Sequence, residues 1–174
     1  MSATFSQFQK SSALACVAGC GKCCQNPEVE ASVLEMLPFA VKVFEEGRLE
    51  EWLTLLKARP AGSCVLFVST GDGGKGYCSS YRERPAVCRM FGVAGYYNKH
   101  HEVVLSVCKH IKEAHQLSEK EIRPHTEDVP IIAEWMTRLM SLHPELVSQK
   151  IPINQAIYGA LEKVALYAQY NLQK

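Results

Sequence analysis

Between Pro27 and Glu46 the apolar residues Val29, Val33, Leu34, Leu37, Val41 and Phe44 recur at helical spacing and predict a helix, kinked or restarted at Pro38 and ended by Gly47. Arg48 to Arg59 repeats the pattern, with Leu49, Trp52, Leu53, Leu55 and Leu56 as a buried stripe and Pro60 as the stop. The period changes in CVLFVSTGDGGKGYCSSY, residues 64 to 81. A β-branched and aromatic run, a glycine-rich bend and a short strand predict a hairpin there. Arg84-Pro85 opens a short helix through Phe91, since proline suits the first helical position. Gly92 to Val107 reads as a second hairpin turning near Asn98-Lys99, and Cys108 to Gln116 as a helix. Pro130 to Leu142 and Asn154 to Asn171 close the chain as two helices, with Asn154 as N-cap of the last. Met1 to Ser12, rich in Ser and Gln and without a strong period, predicts a loosely held lead-in.

These elements imply a mainly α (α+β) fold: one helical domain over 1–174 with one or two small β-hairpins. Residues 16–108 carry the chemistry, and 109–174 form a C-terminal helical region. With 47% apolar residues the chain can bury a core without disulfide staples. Nineteen basic residues against eighteen acidic ones, with no basic tract, provide no footprint for nucleic acid or an anionic membrane. No run approaches the ~20 apolar residues of a membrane-spanning helix. Val17-Ala18-Gly19-Cys20 has the look of a lipoprotein cleavage box, but Ala13 to Ala18 is too short for a signal's apolar core and includes Cys16. The expected location is therefore the cytoplasm, where clustered thiols bind metal or do redox work more often than they form disulfides. The bend at Gly71, Gly73, Gly74 and Gly76 is not a phosphate-binding loop, because Tyr77 and Cys78 follow it in place of a helix bearing Lys-Ser/Thr.

The eight cysteines, Cys16, Cys20, Cys23, Cys24, Cys64, Cys78, Cys88 and Cys108, all fall within the first 108 residues. Such segregation argues for a site rather than for scattered small hydrophobes. In CVAGCGKCC the CxxxC, CxxC and CC spacings let local turns aim several sulfurs at one point, and Gly19 and Gly21 permit the tight wrap. Adjacent side chains diverge in regular structure, so Cys23 and Cys24 are not expected to share a metal unless the backbone is irregular. A hairpin that returns on itself brings Cys64 and Cys78 together, as in zinc ribbons. Cys88 lies in the first turn of its helix, where the dipole favours thiolate. Arg82, Arg84 and Arg89 surround it in sequence and suit a site whose thiolates outnumber the charge of the ion.

His100, His101, His110, His115, His125 and His143 are bystanders, because eight cysteines suffice for two sites. Tyr81 is expected to pack or hydrogen-bond near the site. No HExxH and no hydrolase-type nucleophile grouping is legible.

These residues resemble the YkgJ cysteine-cluster family, whose domain is described as zinc- or iron-chelating. The likeness rests on CVAGCGKCC, Cys64, CSSYRERPAVCRMFG from 78 to 92, and Cys108, and covers about Cys16 to Cys108. It implies that all eight family cysteines are filled, with Tyr81, Arg84, Pro85 and Arg89 as further signature residues. Related motifs are found in iron–sulfur oxidoreductases and flagellin lysine methylases, for which this chain is short.

Zinc suits four-thiolate sites with CxxC pairs split by a hairpin, whereas a [4Fe–4S] cluster also takes four closely spaced cysteines. Without a proline after the run, and with thiols to spare, the pattern departs from bacterial ferredoxins and favours zinc slightly. Three functions follow: a metal-binding protein, an iron–sulfur oxidoreductase or group-transfer enzyme, and a redox-sensitive switch that releases metal.

Overall fold

The computed structural model describes residues 2–71, 73–116 and 129–171. Its elements run α1 (Ser2–Ser12), α2 (Lys22–Gln25), β1 (Glu30–Ala31), α3 (Val33–Glu45), α4 (Leu49–Ala58), β2 (Phe67–Ser69), β3 (Gly76–Cys78) and α5 (Ala86–Met90). There follow β4 (Val93–Tyr97), β5 (Val103–Val107), α6 (Lys109–Ala114), α7 (Ile132–Leu142), α8 (Pro144–Val147), β6 (Ile151–Pro152) and α9 (Ile153–Asn171). The fold is mainly helical α+β, and the strands pair antiparallel as β1 with β6, β2 with β3 and β4 with β5. Both expected hairpins are present. The β1–β6 pair, absent from the sequence prediction, joins two-residue segments too short to carry an alternating pattern. No helix among the described residues is long and apolar enough to cross a membrane.

Two compact units emerge from the contacts. The first comprises Met1–Cys20 with Ala86–Leu142, the second Gly21–Pro85 with His143–Lys174.

In the second unit the helix predicted from Pro27 starts only at Val33, because Ser32 and Glu35 form a capping box. Glu35 Oε2 accepts the Ser32 N–H at 2.9 Å and the Ser32 hydroxyl at 2.7 Å. The helix runs unbroken through Pro38 and ends in a Schellman motif, with Gly47 at φ +70° and the Arg48 N–H donating to Val43 O at 3.0 Å. It packs against α9, burying Met36, Phe39, Ala40 and Val43, while α9 buries Ala156, Ile157, Ala160 and Leu161. The buried face is thus offset from the series that sequence periodicity picked out. Val41 is exposed, and Leu37 and Phe44 line a surface cleft of about 460 Å³. A helix apolar nearly all round carries no unique inward face in its own sequence. In α4 only Leu56 is buried, the rest of the expected stripe being half-buried, and Trp52 meets Phe39 edge-on at 5.1 Å.

In the first unit the expected loose lead-in is instead the helix α1. Phe5 and Phe8 bury one of its faces, and Phe5 lies 6.2 Å from Trp135 of α7. Two aromatics three positions apart anchor a polar segment that periodicity alone passes over. Phe8 joins Leu14, Val93, Val107 and Ile111 in one cluster, with Cys108 packed partly against it. Strands β4 and β5 pair from Val93↔Val107 to Tyr97↔Val103, and Asn98 Oδ1 organises their turn by accepting the N–H groups of His100 and Glu102.

Candidate metal centre

Four of the eight thiols belong to the second unit: Cys23, Cys24, Cys64 and Cys78. Gly21, at φ +60°, opens the single turn of α2 that carries Cys23 and Cys24. A Cβ there would run into the Phe67 ring and the Gly76 backbone, so glycine is required both for the turn and for the approach of α2 to the β2–β3 hairpin. Gln25 fastens that approach, its amide donating to the carbonyls of Gly21 and Gly74.

Cys64 is tied to the same turn by its backbone, its N–H donating to Cys24 O at 2.9 Å. Its loop is held from behind by Asn154, which is buried within the first turn of α9. Asn154 Oδ1 accepts the Val65 N–H at 3.0 Å, while Nδ2 donates to Arg59 O and Ser63 O, both at 3.2 Å. The sequence prediction cast Asn154 as N-cap, but the helix already begins at Ile153 and the side chain serves the loop instead. Residue type gave the wrong role because capping and loop clamping use the same short amide. Cys78 ends β3 opposite Phe67, and Ser79 secures the return of the strand by donating to Leu66 O through its N–H at 2.8 Å.

The thiols sense one another. The Cys24 thiol donates to Cys23 Sγ, and this bond, aided by the Arg84 charge, outweighs burial and draws Cys23 down to about 6. Holding the shared proton, and buried beside Cys23, Cys64 and Cys78, Cys24 is pushed up. Burial pushes Cys64 up to about 11 and also raises Cys78, against the pull of Arg84. Cys23 and Cys24 thus act on each other as neighbours on the single turn of α2. As the side chains stand, no three His, Cys, Asp or Glu side chains among the described residues converge closely enough to hold an ion. Rotation about χ1 between staggered wells is the motion that redirects a thiol without moving its backbone.

Arg84 is the signature arginine whose charge acts on this set, and its guanidinium lies over the exposed Tyr81 ring at 3.4 Å. Cys16, Cys20, Cys88 and Cys108 belong to the first unit. There Cys88 sits on α5, Cys108 precedes α6, and Cys16 is exposed. His100 and His101 occupy the β4–β5 turn, His110 meets Glu113 at 3.3 Å, His115 follows α6, and His143 precedes α8. His125 lies outside the described residues.

A family model described as "Putative zinc- or iron-chelating domain" matches residues 15–126, a stretch that holds every cysteine. No curated protein and no solved structure matches the chain.

Proposed function

Since the chain belongs to the CxxCxxCC family of zinc- or iron-chelating domains, we propose that it holds zinc, with Cys23, Cys24, Cys64 and Cys78 as thiolate ligands of one ion. The observation that carries this reading is that one unit gathers these four cysteines, with Gln25 fastening α2 to the β2–β3 hairpin and Cys64 hydrogen-bonded through its backbone to Cys24. A four-sulfur donor set suits a soft or borderline cation, and tetrahedral zinc takes four such ligands with no open position. Cys23 is ionised near neutral pH and supplies the first ligand. Cys24, Cys64 and Cys78 hold their protons in the free protein and would release them to solvent as the ion binds, its charge offsetting the cost of burying thiolates. Arg84 then balances part of the negative charge that four thiolates leave on a divalent ion. On this reading the centre stores or transfers the metal, or braces the fold, in the cytoplasm.

Metal analysis of protein purified without oxygen tests the reading. Zinc, no colour, and a Tm lowered by chelator are expected. A brown protein containing iron and sulfide, whose visible absorption bleaches on reduction, would replace zinc by an iron–sulfur cluster and reopen the oxidoreductase reading. Reversible zinc release by mild peroxide would assign the redox switch.

A further inference from the structure

We infer that the chain forms a two-fold dimer, in which the cleft bordered by α3, α8 and α9 of one copy receives the same face of a second copy. The inference is independent of the metal reading, since no cysteine lines that cleft. It starts from a helix with two apolar faces. Met36, Phe39, Ala40 and Val43 of α3 are buried, and α3 packs against α9. Leu37, Val41 and Phe44, four and three positions apart, form a second stripe, which lines the surface cleft of about 460 Å³ together with Leu146 and Val164. On α9 burial stops at Leu161, yet the apolar pattern runs on through Val164, Leu166, Tyr167 and Tyr170. Tyr167 at the cleft and Tyr170 one turn further are 65% and 67% exposed. Covering such surface drives association, and a tyrosine ring contributes a large rigid area at small entropic cost.

The charges on the cleft select the occupant. Among the described residues its lining holds one acid, Glu45, and one base, Lys163. A partner of uniform charge meets a like sign at one of them. In a two-fold interface residue i meets j while j meets i, so Glu45 of each copy faces Lys163 of the partner subunit and one geometry satisfies both charges. The face also supplies its own filling, because the exposed tyrosines of one copy enter the open cleft of the other. A formal net charge of +1 leaves two copies little long-range repulsion to overcome.

Sedimentation velocity of the full chain, purified with its metal and without oxygen, tests this from low to high micromolar concentration. A mass that rises to twice 19.4 kDa is expected, and a wild type that stays monomeric overturns the proposal. Tyr167→Glu should weaken the dimer roughly 30-fold or more. A dimer indifferent to both Tyr167→Glu and Val41→Glu overturns it by placing the interface on another face. Glu45→Lys and Lys163→Glu change exposed positions, and each alone should weaken association roughly 10-fold, because like charges then oppose across the axis. Mixing the two variants should restore a tight dimer, since every cross-copy pair is again of opposite sign. A mixture no tighter than either variant alone overturns the two-fold pairing, and this arm stands even if Tyr167→Glu fails to fold. A monomeric wild type that binds the fluorescent fatty acid cis-parinaric acid, with binding lost in Val41→Glu, overturns the second copy in favour of a small apolar ligand.

Discussion

The two units hold their cysteines by different means. In the second, polar bonds fix the thiol-bearing backbone: Gln25 clasps α2 to the Gly74 bend, the Cys64 N–H bonds to Cys24 O, and Asn154 grips the loop on both sides of Cys64. In the first, apolar packing around Phe8, Leu14 and Ile111 supports the chain, with Cys108 packed partly against it. A hydrogen bond fixes direction as well as distance, whereas packing fixes mainly volume. The difference teaches that polar bonds orient the thiol-bearing backbone of the second unit, while an apolar cluster backs Cys108 in the first.

The largest expected effect comes from breaking the apolar side of that comparison. Phe8→Ala removes a fully buried ring from the first unit and should cost ~3–5 kcal/mol, seen as a Tm drop of roughly 10 °C, while metal bound by Cys23, Cys24, Cys64 and Cys78 is retained. Loss of that metal in step with the Tm would erase the distinction between the units.

Asn154→Ala sharpens the polar side. It strands the Val65 N–H and the Arg59 and Ser63 carbonyls, which should cost ~1–3 kcal/mol. By loosening the Cys64 loop it should also weaken metal binding at the second unit's site roughly 10-fold. Asn154→Asp, which keeps the acceptor for Val65 and loses both donors, should fall between wild type and Asn154→Ala in a competition titration with a chromogenic chelator. Unchanged affinity in both variants would remove Asn154 from the site's support.

The smallest effect is on pH. Burial raises the Glu35 carboxyl, but its bonds from Lys150 and Ser32 outweigh that and hold it below the ordinary 4.5. Its contribution to stability is complete above about 4.5 and is lost as pH falls through the lower folded value. The Tm of wild type should therefore fall more steeply below that pH than the Tm of Glu35→Gln. Parallel slopes would mean that the α3 cap adds nothing pH-dependent to the second unit.

Much of this was legible in the chain. The glycine-rich bend between Cys64 and Cys78 marks a hairpin because a change of period and a run of glycines act locally, and Gly47 ends α3 for the same reason. The freedom of Gly21 to turn is legible from its residue type, and the structure adds the close approach of Phe67. What escaped depends on partners distant in sequence. The side of α3 that faces α9, the helix that Phe5 and Phe8 hold in place, and the pairing of Glu30–Ala31 with Ile151–Pro152 are all decided by tertiary neighbours.

Asn154 lies outside the stretch that matches the family, which stops at 126. A fragment trimmed to that stretch would keep every sulfur yet lose the amide that steadies the approach to Cys64. On the proposed reading, the piece of this polypeptide needed to hold metal is longer than its recognisable motif, and its carboxyl-terminal helix would steady the site without contributing a ligand.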